Sequence, residues 1–197
     1  MNSDIRPALV SLAFFSALTG IAYPLVVTGI ATTVFPSQSH GSMLTHGDTT
    51  RGSALVGQSF TKSGYLWGRP SALAIPYDAR GSGASNLGPT NPTLDSLVKA
   101  RIATLRAADP TATGAVPVEL VTSSGSGLDP HVSPAAALYQ VNRIASARHI
   151  EVASVRRIIE QLIEPRTFGI LGEARVNVLE VNLQLDAFMS PTAVPHK

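Results

Sequence analysis

The sequence predicts an α/β protein of the α+β type: one N-terminal transmembrane helix followed by a single extramembrane domain with a small sheet and several helices. Residues 7–36 contain no charged side chain, which predicts the membrane helix. Later in the chain, apolar residues recur at helical spacing, and short strand-like stretches lie between loops rich in glycine and proline. Only 14% of the residues are charged against 44% hydrophobic, a balance typical of a chain with a membrane part.

The apolar run 7–36 is long enough to cross a bilayer, since about 20 apolar residues suffice for a helix to do so. Pro24 lies within the run, where it could kink the helix, and membrane helices tolerate an internal proline. A cleaved signal peptide would have a shorter apolar core of about 7 to 15 residues. We therefore expect a retained helix, preceded by a short cytoplasmic tail of residues 1–6. A short tail before a long domain favours an extracytoplasmic (periplasmic) domain.

The rest of the chain is expected to divide into a linker, a domain and a tail. Residues 37–53 are polar and are interpreted as a juxtamembrane linker, whereas residues 54–190 form the predicted domain. Within the domain, residues 54–60 and 116–122 resemble short strands. The tail, residues 191–197, contains two prolines and is predicted to be disordered.

Two helices have clear start signals. Asn91 and Ser133 are good N-cap residues, and each is followed by a proline at the first helical position, Pro92 and Pro134. Asp109-Pro110 ends the first of these helices. The second start opens a pair of amphipathic helices that Pro165 ends.

The segment 175–186 is ambiguous between strand and helix. Val176 and Val178 alternate as in a strand, but Asn177 and Glu180 have the spacing of a helix capping box. We interpret the segment as a helix.

Two glycine-rich loops, residues 81–92 and 123–137, carry the residues that suggest chemistry. Neither loop contains the Gly-Lys pair of a phosphate-binding P-loop, and Asn86 and Pro130 stand where a dinucleotide fingerprint needs its third glycine. The histidines have no metal-ligand spacing, and the chain has no cysteine, which leaves no sequence support for a metal site.

Two other function classes stay open from the residues alone. Ser126, or Ser133, with Asp129 and His131 has the residue types of a hydrolase nucleophile, orienting acid and base, although Asp129-Pro130 is also a common turn. Alanine at His131 would abolish such chemistry without removing a binding partner.

The second alternative is a DNA-binding regulator. The helix pair after Ser133 resembles a helix-turn-helix, with basic residues that can contact phosphates at Arg143, Arg148, Arg156 and Arg157. Neighbouring glutamates and a net charge of only +2 argue for a solvated helix pair and against nucleic acid. The only tryptophan, Trp67, would either pack in the domain or form a binding surface, and its large ring favours packing.

Four motifs, in this order, closely resemble those of the KdpC family, the C subunits of the Kdp-type potassium-transporting ATPases of bacteria. The matching motifs are Gly68-Arg-Pro-Ser-Ala72, Ala84-Ser-Asn-Leu-Gly-Pro-Thr-Asn-Pro92, Ser124-Gly-Ser-Gly-Leu-Asp-Pro-His-Val-Ser-Pro-Ala-Ala136 and Arg175-Val-Asn-Val-Leu-Glu180. Ala84 stands where the family usually has a glycine. The resemblance extends from the apolar run to Asp186.

The resemblance implies a non-catalytic accessory subunit in a complex at the bacterial inner membrane. Its implied partners are a potassium-channel-like subunit, a P-type ATPase pump subunit and a small membrane peptide, besides the lipid bilayer. ATP and potassium would be handled by those partners, with no cofactor bound by this chain. The accessory subunit would be needed for assembly and would raise the ATP affinity of the pump subunit.

The resemblance also singles out residues. Gln140 falls in a region that the family links to nucleotide effects, yet an extracytoplasmic domain cannot touch cytosolic ATP, so coupling would then pass through the partners. The other motif residues would serve internal packing, the simpler reading, or docking to a partner. They are Gly68, Arg69, Pro70, Ser85, Asn86, Gly88, Pro89, Asn91, Pro92, Ser126, Gly127, Asp129, Pro130, His131, Ser133 and Pro134.

Overall fold

A computed structural model describes residues 4–189 and contains one helix that is long and apolar enough to span a membrane. This helix runs over Ile5–Val34, and its most apolar 18-residue window has a mean hydropathy of 1.9 and contains no buried residue. It consists of α1 (Ile5–Ala17), a π-helical turn (Leu18–Ala22) and α2 (Tyr23–Val34). The prediction of one apolar helix is confirmed, with bounds shifted by two residues at each end.

The π-helical turn has a physical cause in Pro24. Proline lacks the N–H that would bond to the carbonyl of Gly20, and its ring clashes with that carbonyl in a regular helix. A wider turn over Leu18–Ala22 relieves both problems. Phe35 departs from helical backbone angles, with φ −129° and ψ 60°. The cause is Pro36, because a proline ring disfavours the helical conformation of the residue before it.

The chain divides between Met43 and Leu44 into two compact units. The segment expected to be a linker contains regular structure: a short helix, α3 (Pro36–Ser39), and a hairpin of β1 (Met43–His46) and β2 (Thr49–Ser53). Its turn residue Gly47 has a φ of +58°, which glycine adopts without strain. The Gly47-Asp48 pair, with Thr45 and Thr49 on its two sides, was the available hairpin signal.

The prediction of strands at 54–60 and 116–122 was wrong. Residues 54–60 form no strand, because Gly57 packs against loop backbone: its N–H donates to Leu128 O at 2.8 Å, and a β-carbon there would lie 2.6 Å from Asp129 O. In the second stretch, Val118–Leu120 form a 3₁₀ turn. Leu120 and Val121 are both buried, and consecutive burial conflicts with the alternating faces of a half-buried strand.

Both predicted helix starts are confirmed. Asn91 caps α4 (Pro92–Ala108) by accepting a hydrogen bond from Thr93 N at 2.9 Å, and Asp109 ends that helix. Ser133 Oγ accepts from Ala136 N at 3.2 Å at the start of α5 (Pro134–Tyr139). The helices α6 (Val141–Arg148) and α7 (Val152–Gln161) follow.

Replacing Ser133 by alanine is expected to lower the free energy of unfolding by about 1 kcal/mol, because the amide of Ala136 loses its acceptor. Denaturant unfolding of the purified chain measures this. Ser146→Ala, at an exposed position inside α6, is the matched control and should stay within about 0.5 kcal/mol of the wild type. Equal losses of unfolding free energy in both variants would show that the Ser133 side chain does not stabilise the helix as a cap.

The sheet is small and antiparallel. Its strands are β3 (His131–Val132), β4 (Ile163–Glu164) and β5 (Arg175–Asn177), in the order β3–β5–β4. Val176 on the central strand pairs with Val132 on one side and with Ile163 on the other. The domain core lies where this sheet meets the buried faces of α5 to α8 and the segment around Leu66.

The segment 175–186 combines both interpretations. The helix prediction is confirmed from Val178 onward, where α8 (Val178–Met189) runs, and is wrong for β5, since residues 175–177 pair as a strand on both sides. Asn177 Oδ1 accepts from Leu179 N and Glu180 N, so the asparagine of the predicted capping box does cap the helix. The predicted disordered tail, 191–197, lies outside the described residues.

Candidate functional site

The backbone of Leu66 and Trp67, just before the first family motif, is held by two side-chain amides. Asn182 on α8 accepts from Leu66 N at 2.7 Å and donates to Leu66 O at 3.0 Å. Gln140, between α5 and α6, does the same for the next residue, accepting from Trp67 N at 2.9 Å and donating to Trp67 O at 3.0 Å. The two amides therefore satisfy the backbone N–H and C=O groups of Leu66 and Trp67, as the backbone of a neighbouring strand would.

Gln140 has no hydrogen-bonding capacity left for a ligand. It is 1% exposed, and besides Trp67 it donates to Ala136 O at 3.2 Å and accepts from Arg143 at 2.6 Å. A side-chain amide offers two donors and an oxygen with two lone pairs, and all of them are used. The resemblance singled out Gln140 for nucleotide effects, and the structure places it as an internal clamp.

Two arginines complete the enclosure of the segment. Arg143 is buried, donates to Ser63 O at 2.6 Å and Tyr65 O at 3.1 Å, and lies 4.0 Å from the centre of the Trp67 ring. Burial lowers the Arg143 pKa to about 10, so it stays charged at neutral pH. Arg148 donates to Leu185 O and pairs with Asp186 at 2.8 Å. Trp67 is therefore packed within the domain. Arg143 and Arg148 point inward, so two of the four arginines proposed to contact DNA phosphates are not available to do so.

A second cluster joins the first motif to the loop 123–137. Arg69 pairs with Asp129 at 3.1 Å and donates to Ser123 O at 3.3 Å, while its Nε is buried without a partner. Asp129 also accepts from His131 N at 3.0 Å. The hydroxyl of Tyr77 donates to Arg69 O, and burial, with a smaller contribution from Asp129, raises the pKa of Tyr77 to about 12. Tyr77 therefore acts as a neutral donor.

The two glycine-rich loops meet near their first residues. Gly83 N donates to Ser126 O at 2.8 Å, and Ser71 Oγ donates to Gly127 O at 2.8 Å. Gly127 has a φ of +70°, and a β-carbon there would lie 2.7 Å from Leu73 Cγ. Only glycine fits this position without strain.

The remaining motif residues of the earlier loop lie toward its surface. Asn86 adopts a left-handed φ of +53°, and Gly88 O accepts from Asn91 N at 3.0 Å just before α4. Ser85, Asn86, Gly88, Pro89 and Pro92 are exposed. In contrast, Gly68 would place a β-carbon 2.9 Å from the Tyr77 hydroxyl, and Pro130 is buried, its O accepting from Val178 N at 2.9 Å.

The geometry does not assemble the nucleophile of the hydrolase alternative. Ser126 Oγ accepts from Leu128 N at 3.1 Å, a local turn, and within the described residues no hydrogen bond joins Ser126 to His131. His131 instead lies 3.8 Å from both Asp129 Oδ1 and Glu164 Oε1. Ser133, the other candidate nucleophile, uses its hydroxyl as the cap of α5.

Acidification is expected to weaken the fold through His131. Burial lowers its pKa, outweighing the nearby carboxylates of Glu164, Asp129 and Glu180, which raise it, while Arg175 lowers it further. Between that lowered value and about 6.5, the unfolded chain binds more protons, so stability falls as the pH drops through this range. The unfolding temperature of the wild type should fall more between pH 7.5 and 5.5 than that of His131→Asn. Parallel falls in the two proteins would contradict this.

An open cleft of about 430 Å³ adjoins these clusters. Its lining combines the rings of Phe60, Trp67 and Tyr77 with the side chains of Arg69 and Arg101. Arg101 donates to Val121 O at 2.8 Å, which ties α4 to the 3₁₀ turn. Across residues 4–189 no group of three metal-ligating side chains lies together.

Comparisons with known proteins show the family of this chain. Residues 5–187 match the family described as "KdpC: K+-transporting ATPase, c chain". The chain belongs to the KdpC family. A Polaromonas naphthalenivorans protein, named potassium-transporting ATPase KdpC subunit, is 53% identical over 99% of this chain and 100% of its own length. Relatives with the same name from Variovorax paradoxus and Herpetosiphon aurantiacus are 56% and 50% identical, over 95% and 96% of this chain and 97% and 99% of their own.

Sequence reasoning missed Asn182, Tyr77 and the inward role of Arg143. The signal for Asn182 was an amide in a helix whose other inward residues are apolar, since Val181 and Leu185 beside it are fully buried. Arg143 carried a similar signal, a charge between Val141 and Ile144 on a buried face.

Proposed function

We propose that this KdpC-family chain is a non-catalytic accessory subunit of a high-affinity, ATP-driven potassium uptake complex in the bacterial inner membrane. The observation that carries the proposal is the family match over residues 5–187, which includes the apolar helix as well as the domain. The expected partners are a potassium-channel-like subunit, a P-type ATPase pump subunit and a small membrane peptide. These partners handle potassium and ATP.

The inward use of polar side chains around residues 62–70 supports an accessory role. Gln140, Arg143 and Asn182 hold the segment 62–70, and Arg69 with Asp129 ties it to the loop 123–137. Such bonds build a rigid scaffold and leave few polar groups free for chemistry. Within residues 4–189, no arrangement of side chains favours the hydrolase alternative.

We further propose that the chain raises the ATP affinity of the pump subunit indirectly. A nucleotide contact through the Gln140 side chain would have to break its bonds to Trp67, Ala136 or Arg143 in a buried site. An accessory subunit can instead favour the nucleotide-binding conformation of the pump by binding that conformation more tightly. This coupling works with the domain on the outer side and the N-terminus in the cytoplasm.

The orientation is tested by two reporter fusions after Lys197. A reporter enzyme active only outside the membrane should be active, and a reporter that fluoresces only in the cytoplasm should stay dark. The reverse pattern would contradict the extracytoplasmic domain and reopen direct contact with ATP.

The effect on ATP affinity is tested by depletion and return. We expect complexes stripped of this chain by detergent washing to show a several-fold higher KM for ATP in potassium-stimulated hydrolysis. Adding back the full purified chain should restore the low KM, while boiled chain should not. An unchanged KM on depletion, with this chain confirmed to be absent, would contradict the proposal.

A further inference from the structure

The connection between β4 and β5 is a structured hairpin whose apolar tip faces solvent. Thr167 and Leu171 exchange two backbone hydrogen bonds of 2.9 Å, and the turn between them has left-handed φ values at Phe168 (54°) and Gly169 (77°). Below this rung, Arg166 pairs with Glu173 at 2.6 Å. The tip, residues 168–171, is therefore held in one shape before it meets any partner.

The tip is the most concentrated exposed apolar surface in the described part of the domain. Phe168 is 88% exposed, Ile170 77% and Leu171 57%, all within four positions. Leu55 and Val118, which are similarly exposed, have no such sequence neighbour, and the adjacent pair Phe188 and Met189 is less exposed, at 54% and 49%. Single exposed apolar residues are ordinary, whereas a contiguous group marks a contact site.

The charges around the tip favour a protein pocket over a lipid surface. Residues 163–177 contain two cations, Arg166 and Arg175, and two anions, Glu164 and Glu173. Each cation is paired, Arg166 with Glu173 at 2.6 Å and Arg175 with Glu164 at 2.8 Å. Attraction to anionic lipid by unpaired Lys and Arg strengthens binding to a membrane surface, and residues 163–177 supply no unpaired cation. A hairpin with balanced charges below a rigid apolar tip instead suits an apolar protein pocket. In such pockets, buried aromatic side chains contribute much of the binding energy.

We propose that residues 168–171 insert into an uncharged apolar pocket of another membrane-embedded subunit of the potassium pump. This assignment rests on the proposed function, because that function supplies the partner. Phe168 is the anchor, and Ile170 and Leu171 exclude water around it.

The test places a photo-reactive benzoylphenylalanine at position 168 of the full chain in native membranes. The matched control carries it at Val118, which is 65% exposed. We expect irradiation to join position 168, and not position 118, covalently to a second subunit. In addition, Phe168→Ser should reduce retention of the chain in the washed complex by about tenfold or more, whereas Val118→Ser should not.

Two kinds of failure are distinguishable. If the wild-type chain co-purifies with the pump but position 168 reacts only with lipid, with a second copy of this chain or with nothing, the docking assignment is wrong and the proposed function stands. If the wild-type chain co-purifies with no pump subunit, the proposed function is wrong and the docking assignment falls with it.

Discussion

Replacing Gln140 by leucine is expected to lower the free energy of unfolding by about 3 kcal/mol. Leucine has a similar volume, so the main loss is hydrogen bonding: the N–H and C=O of Trp67 and one donor of Arg143 lose their partner. Each buried polar group left unsatisfied costs about 1–3 kcal/mol, and partial access to water limits the sum. The effect should be large because the amide serves several groups at once.

Denaturant unfolding of the full chain in mild detergent measures this loss. The fluorescence of Trp67, the only tryptophan, reports directly on the clamped segment. Gln184→Leu, an exposed glutamine on α8, is the control and should change stability by less than about 0.5 kcal/mol. If Gln140→Leu were as stable as this control, the clamp would not hold the domain together.

Replacing Gly127 by alanine is expected to destabilise the domain by about 2–4 kcal/mol. A left-handed φ of +70° disfavours any β-carbon by about 1–2 kcal/mol. The added methyl would also lie 2.7 Å from Leu73 Cγ and 3.0 Å from Gly83 O, and overpacking adds about 1–3 kcal/mol. Because Gly83 O is backbone, the second contact cannot be relieved by a rotamer change.

Gly125 provides a control two residues away in the same loop. A β-carbon at Gly125 meets nothing within 4 Å, and its φ is outside the left-handed region. Gly125→Ala should therefore be neutral or slightly stabilising. The two variants are compared by thermal unfolding, and equal unfolding temperatures would show that the meeting of the two loops does not require glycine at position 127.

The helix caps were predictable because their chemistry is local. Asn91 and Ser133 each bond to an amide two or three residues ahead, so a few consecutive residues carry the whole signal. The apolar helix was predictable for a similar reason, since hydropathy over one window determines it.

The sheet and the clamp were not predictable from local patterns. The strands are two or three residues long, and their pairing joins positions 132, 163 and 176, which are far apart in sequence. The amide of Gln140 acts on a residue 73 positions away, and that of Asn182 on one 116 positions away. These long-range hydrogen bonds form only once the domain is packed, so no local pattern indicates them. Tertiary packing also overrides the strand-like alternation of residues 54–60 and 116–122.

A tagged purification of the wild-type chain from native membranes in mild detergent tests the central claim most directly. The accessory-subunit account predicts that a P-type ATPase subunit and a channel-like subunit co-elute with the chain in fixed ratio, and that the eluate hydrolyses ATP in response to potassium. Elution of a fully folded chain without either subunit would contradict the account.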